Sequence, residues 1–302
     1  MRRIIAGIAL PVLLIAAFAP PATTQGTREI EVQTTELADH VYMLSTGAGG
    51  NLCLCVGDEG SLLVDSEYAQ LYDKVRAAVT ALSDKPVRYL VNTHWHFDHV
   101  GGNDKFAASE SLVLAHKNVR SRLAAGQRIT IIDVDVPPAP ERALPVVTFN
   151  DELTIHLGGE EINIIHIPNA HTDGDCIVLL RHANVLHTGD IVFHGGYPFI
   201  DISSGGSIDG VIAAVAKIVT LCDEKTKIIP GHGQLTNRSE LEAYGAMLRQ
   251  FRGIIAGEMV AGKDLDAILA SRPTSKLDEI WGKRCFPPHQ FTEIVYRSLE
   301  EH

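Results

Sequence analysis

Between Thr93 and His99 the chain reads Thr-His-Trp-His-Phe-Asp-His, which puts four metal-binding donors, His94, His96, Asp98 and His99, within six residues. Imidazole nitrogen and carboxylate oxygen suit zinc, and a catalytic zinc keeps one position open for water. The spacing lets His94 and His96 converge on one ion while Asp98 and His99 turn toward a second. An isolated histidine is more often structural than functional. This density of donors marks a metal site, and the test of such a motif is its context. Val100, Gly101 and Gly102 follow, so the backbone can turn sharply and start a helix. A metal pair generates a water-derived nucleophile at neutral pH without help from serine or cysteine. Serines are present, but none stands in a Gly-x-Ser-x-Gly elbow.

Donors of this kind need rigid supports. The β-branched run Val87–Val91 lies directly ahead of them and predicts a buried strand. Upstream, Val41–Leu44, Leu52–Val56 and Ser61–Val64 read as strands separated by the glycine-rich segments 47–50 and 57–60. Tyr68, Leu71, Tyr72, Val75, Val79 and Leu82 then repeat at helical spacing. Downstream, Leu153–Leu157, Ile162–Ile167, Cys176–Leu180, Val185–Leu186 and Lys227–Ile229 are further strands. Ile208 to Val219 is an amphipathic helix capped by Ser207, and Asn237 with Glu240 opens another that carries Leu241, Tyr244, Leu248 and Phe251. The remainder to His302 reads as helical. This order predicts an α/β (α+β) protein with two β-sheets covered by helices.

With these elements in place the sequence resembles the metallo-β-lactamase superfamily, whose signature is His-x-His-x-Asp-His. The later positions agree: His171-Thr172-Asp173-Gly174, Thr188-Gly189-Asp190 and Pro230-Gly231-His232-Gly233 each follow a predicted strand. The resemblance spans roughly residues 38 to 255. It implies the four-layer αβ/βα sandwich of that superfamily, with metals at one edge between the sheets. It assigns His94, His96 and His171 to one metal and Asp98, His99 and His232 to the other, with Asp190 bridging. The cofactor expected is two zinc ions, with iron or manganese as substitutes, and Asp98 and Asp190 are the catalytic carboxylates. Gly49, Gly50 and Tyr197 are expected to contact substrate. Asp173 and Asp175 are open between supporting the ligands and lying in a solvated turn. His187 and His194 bracket Asp190 as possible site-lining residues, and Trp95 and Phe97 are expected to pack behind the metals.

The resemblance implies a hydrolase acting on an ester, lactone or amide-type carbonyl, with β-lactam hydrolysis a leading candidate. The bridging aspartate departs from the zinc lactamases, most of which carry cysteine there and a lysine three residues on, where this chain has Phe193. Aspartate is the pattern of glyoxalase II-like thioesterases and lactonases, which form the alternative. More distant readings are an iron-dependent persulfide-dioxygenase-like oxidoreductase and a non-catalytic periplasmic metal-binding protein.

Composition sets the outer bounds. The chain has 302 residues, 45% hydrophobic and 21% charged, as expected of a globular protein with a large core. A formal charge of -11 argues against nucleic acid, which needs a basic stripe, and leaves a small molecule as the expected partner. Arg2 and Arg3 precede the apolar stretch Ile4 to Ala19, with small residues at Ala17, Ala19 and Ala22, which is the pattern of an export signal. The expected organisation is a signal at 1–22, a leader at 23–37 and one catalytic domain at 38–302 ending in a helical extension. The mature protein is expected in the periplasm or outside the cell, without stable membrane insertion, and its oligomeric state is open. Cys53 and Cys55 lie two apart in an apolar run and are expected to fill core space.

Overall fold

The computed structural model describes residues 30–301, so the expected signal segment and the first part of the leader lie outside the described residues. Among the described residues no helix is long and apolar enough to cross a membrane.

The first half of the chain builds a sheet from β1 (Gln33–Ala38), β2 (Val41–Ser45), β3 (Leu52–Gly57), β4 (Gly60–Val64), β5 (Val87–Val91) and β6 (Leu112–His116). A small antiparallel ribbon of β7 (Gln127–Ile129) and β8 (Val134–Val136) follows, and β9 (Val147–Phe149) then completes the sheet in the order β1-β2-β3-β4-β5-β6-β9. The strands from β1 to β4 pair antiparallel, and β4, β5, β6 and β9 pair parallel. The second sheet runs β10 (Glu152–Leu157), β11 (Glu160–His166), β12 (Cys176–Leu180), β13 (Val185–His187) and β14 (Lys227–Ile229), with only the last pair parallel.

Strand periodicity divides the apolar residues between layers. On β3, Cys53 and Cys55 face the second sheet and meet Ile162, Ile164, Val178 and Ile229, while Leu52 and Leu54 face outward. The outward face packs against α1 (Tyr72–Leu82) through Tyr72, Val75 and Val79. α2 (Phe97–Val100) is a single turn, followed by α3 (Asn103–Ala108) and α4 (Lys117–Ala125). On the far side of the second sheet, Ile177, Leu179, Leu186 and Ile228 are covered by α5 (Ile208–Leu221) and α6 (Arg238–Val260). Each such fully buried aliphatic side chain contributes about 1.5–3 kcal/mol. The result is helix, sheet, sheet, helix, the four-layer arrangement expected.

Caps fix the ends of both long helices. The Ser207 side chain accepts from Gly210 N at 3.0 Å and Asn237 Oδ1 from Glu240 N at 3.0 Å. The chain ends in α7 (Leu265–Ser271), α8 (Ser275–Trp281) and α9 (Pro288–Glu300), and α9 packs Phe291, Ile294 and Val295 into the same core as α6.

Two expectations need correction. The first sheet begins at Gln33, inside the expected leader; in the sequence Gln-Thr-Thr-Glu-Leu-Ala only Leu37 is buried, so no apolar alternation announced this edge strand. Tyr68 does not join α1. It is extended, at φ -63° and ψ 145°, ahead of a short 3-10 turn at Ala69–Leu71.

Candidate metal centre

The expected donors emerge from four strand ends at one edge of the sandwich. β5 runs into His94 and His96, and the single turn of α2 brings Asp98 and His99 around to face them. His171 lies between β11 and β12, Asp190 in a 3-10 turn after β13, and His232 after β14. Their side chains gather into two groups, His94, His96, His171 and Asp190 in one and Asp98, His99 and His232 in the other.

Asp190 lies between the groups. Its Oδ2 is 3.8 Å from His94 Nε2, 3.7 Å from His171 Nε2 and 3.3 Å from His232 Nε2, and its Oδ1 is 3.0 Å from His99 Nε2. Asp98 Oδ2 stands 3.6 Å from His99 Nε2 and 3.3 Å from His232 Nε2. Tetrahedral donors at the usual metal–nitrogen bond length stand about 3.4 Å apart, so these separations suit ions at the centre of each group. His94 Nε2, His99 Nε2 and Asp190 Oδ1 are buried without an aligned hydrogen-bond partner, a costly arrangement that a cation would relieve.

The outward nitrogens explain how the rings are aimed. His96 Nε2 lies 3.0 Å from Asp201 Oδ2, and His171 Nδ1 donates to Phe199 O at 2.8 Å. Their other nitrogens, His96 Nδ1 and His171 Nε2, then face each other at 2.9 Å. Two lone pairs at that distance repel unless a proton or a metal ion lies between them. On the other flank Asp65 accepts from Thr93 N at 2.8 Å, from Thr93 Oγ1 at 2.7 Å and from His99 Nδ1 at 2.8 Å. Thr93 Oγ1 in turn lies 3.1 Å from His94 Nδ1. Asp65 therefore orients donors of both groups, the carboxylate–histidine support common at metal sites.

Charge is distributed unevenly. Burial holds His94 well below the ordinary imidazole range and lowers His171 to about 4. Burial also opposes charge on His99 and His232, but Asp190 and Asp98 outweigh it, holding His99 well above its usual range and His232 up at about 10. Against the same desolvation, neighbouring histidines keep Asp98 down at about 2 and Asp190 well below its usual range. Metal-free, this is a buried carboxylate–imidazolium cluster that must shed protons to bind cations.

Other expectations divide. Asp175 accepts from His171 N at 2.6 Å and Thr172 N at 2.9 Å, so it shapes the turn that carries His171; burial raises it to about 8. Asp173 instead forms a paired contact with Arg122, at 2.7 Å to both Nε and Nη2. His187 is a buried strut, its Nε2 3.0 Å from Asn51 O and its Nδ1 accepting from Gly189 N at 3.1 Å. His194 leans away toward Glu240 at 3.5 Å. Trp95 packs behind the site as expected, donating to Ser204 Oγ at 3.2 Å, whereas Phe97 faces the cleft.

All three expected substrate contacts are corrected. Tyr197 is fully buried between Phe251 and Phe291 and donates to Asp278 Oδ1 at 2.9 Å, so it holds the C-terminal helices and does not line the cavity at the donor groups. Gly49 and Gly50 are buried behind the site: Gly49 N donates to Glu67 Oε1 at 3.1 Å, and a Cβ on Gly50 would overlap the His99 ring. Asp65, Asp201 and Asn51 went unrecognised in the sequence. Asn51 clasps the turn carrying His232 by donating to Pro230 O and Gly233 O, each at 2.9 Å. The signal available for Asp65 was its place at the end of β4, next to the strand that feeds the motif.

The groups open into a cavity of ≈ 300 Å³ to which Asp98, Asp190 and His232 contribute one wall. Comparison with known proteins agrees with this architecture. The family model for the metallo-beta-lactamase superfamily matches residues 46–232. The acyl-coenzyme A thioesterase MBLAC2 of Bos taurus is 26% identical over 216 residues, covering 62% of this chain and 74% of its own. A linear primary-alkylsulfatase of a Pseudomonas strain is 26% identical over 236 residues, covering 66% of this chain and 44% of its own. Among solved structures, a metallo-beta-lactamase from Pontibacter korlensis superposes with a TM-score of 0.61 at 18% identity, over 72% of this chain and 99% of its own.

Proposed function

The chain belongs to the metallo-beta-lactamase superfamily, and on that premise we propose that it is a dinuclear zinc hydrolase cleaving a carbonyl ester, thioester, lactone or amide bond. The observation that carries this reading is Asp190, whose carboxylate reaches donors of both groups: Oδ2 stands 3.7 to 3.8 Å from His171 and His94 and 3.3 Å from His232, and Oδ1 stands 3.0 Å from His99. His94, His96 and His171 would hold one ion, Asp98, His99 and His232 the other, and Asp190 both. When bound, a zinc pair supplies Lewis acidity and lowers the pKa of water to near neutrality.

The protein's own residues do the rest. Asp98 and Asp190 reach the cavity as ionised carboxylates, and Asp98 is placed where it can accept a hydrogen bond from a water entering the cavity. Asp65 and Asp201 hold the imidazoles in the tautomers that aim lone pairs inward. Phe193 lies flat against His232, with ring centroids 4.9 Å apart, and shields that donor from bulk water. β-Lactam turnover ranks second in this reading, because Phe193 stands where a carboxylate-gripping lysine would be needed. The N-terminal signal pattern supports a periplasmic or secreted setting.

The test is hydrolysis of an ester, thioester, lactone and cephalosporin panel by the zinc-loaded protein, with and without chelator. Turnover of at least one carbonyl substrate that chelator abolishes is expected. No chelator-sensitive turnover across the panel would overturn the proposal in favour of a non-catalytic metal-binding role.

A further inference from the structure

The walls of the cavity speak to substrate choice. Beyond the donors His96, Asp98, Asp190 and His232, the cavity is lined by Tyr68, Phe97, Ile129, Ile132, Phe199 and Phe286, together with Phe193 and the thiol of Cys285. Tyr68 stacks on Phe97, with centroids 5.9 Å apart, to form one side. Ile129 ends β7, and Ile132 closes the turn between β7 and β8, so this ribbon overhangs the site. Phe199 and Phe286 meet at 5.1 Å on the other side, tied together by Phe286 N donating to Tyr197 O at 3.2 Å. Thr130 N donates to Ser203 Oγ at 3.3 Å, which joins the ribbon to the segment that follows Phe199.

Cationic side chains nearby in sequence are not among those lining the cavity. Arg128, between Gln127 and Ile129, is held by Asp133 and by Asp135 at 2.7 Å. Arg284 lies along Gly195, its Cδ 3.8 Å from where a Cβ would stand there. No lysine or arginine is among the described residues lining the cavity. A substrate carboxylate held against these walls, away from the donor groups, would lose its hydration without gaining a partner there.

We infer that the cleft selects substrates with an uncharged apolar chain or ring on the acyl side, and discriminates against substrates whose chain ends in a carboxylate. This inference rests on the hydrolase reading above. It names the aromatic and aliphatic walls, with the partly exposed Ile132 on the ribbon as the specificity determinant to vary.

The experiment compares p-nitrophenyl acetate, butyrate, hexanoate and octanoate with the mono-succinate ester, which matches butyrate in length but ends in a carboxylate. For the zinc-loaded protein, kcat/KM should rise about three- to fourfold per added methylene until the cleft is filled, and succinate should fall at least about tenfold below butyrate. Ile132→Lys should invert the butyrate–succinate preference. Calorimetric binding of the matching non-hydrolysable ketones should follow the same order, independently of turnover. Chelator-sensitive turnover with a flat chain-length series, or with succinate equal to butyrate, would overturn this inference and leave the hydrolase reading standing. Absence of chelator-sensitive turnover on these esters and on every member of the ester, thioester, lactone and cephalosporin panel would overturn both.

Discussion

Asp65 offers a demanding test of the supporting framework, because it lies outside every recognised motif and does not line the cavity. Its carboxylate is fully buried and accepts from Thr93 N, Thr93 Oγ1 and His99 Nδ1 within 2.8 Å. Asp65→Asn is the informative change. Asparagine tolerates the left-handed backbone at φ 61° almost as well as aspartate, so the fold should survive. The amide oxygen can still accept from Thr93 N, but its NH2 group faces the Thr93 hydroxyl and His99 Nδ1–H as a third donor. A lost charge-assisted hydrogen bond costs about 1.5–3 kcal/mol, which is about tenfold to 150-fold in an equilibrium constant at 1.4 kcal/mol per decade. Loss of a carboxylate behind a metal-bound histidine typically costs 10–100-fold in affinity, so the two routes agree. Competition against a chromophoric chelator should show zinc affinity falling by about that factor, first at the site of His99, with unchanged far-ultraviolet circular dichroism. Native affinity for both ions in Asp65→Asn would refute the claim that this carboxylate aims the donors.

Two further outcomes follow from the geometry. Because Asp190 and Asp98 outweigh burial and hold His232 at about 10 and His99 high, both imidazoles are protonated at pH 7–8 without metal. Zinc binding should therefore release about two protons per chain, measured by calorimetry in buffers of different ionisation enthalpy; release near zero would contradict the assignment. Tyr197→Phe should destabilise by about 1 kcal/mol through loss of the hydrogen bond to Asp278, read by denaturant unfolding, while KM for ester substrates stays unchanged; a large KM increase with native stability would return Tyr197 to the substrate wall.

The contrast between these residues shows what the sequence could express. The donors at positions 94 to 99 were legible because a strand end and a single helical turn bring them together locally, and the later histidines and Asp190 stand in short glycine-marked turns. Asp65 and Asp201 reach the donor rings His99 and His96 from 34 and 105 residues away, Asp65 through the pairing of β4 with β5 and Asp201 from the loop that follows the second sheet's β13. Gly49, Gly50 and Tyr197 misled for a related reason. Glycine frees the backbone for a mobile hairpin, but it equally permits close packing, and here His99 occupies the space a side chain would need. Tyr197 follows the bridging aspartate closely, yet the chain has turned inward by that point and Asp278 supplies its hydroxyl with a partner. Phe97 erred in the opposite sense, since the turn of α2 points Asp98 and His99 at the other donors and leaves the intervening ring toward the cleft.

The central claim is that Asp190 joins two metal positions into one centre. Equilibrium titration of the metal-stripped protein with zinc, read by metal analysis after removal of free ions, tests it most directly when wild type and Asp190→Asn are run side by side. The account predicts two tightly held ions in the wild type, and in the variant a loss of at least one ion or roughly a tenfold weakening with the fold intact. A single ion in the wild type, or two ions held with native affinity by Asp190→Asn, would contradict it.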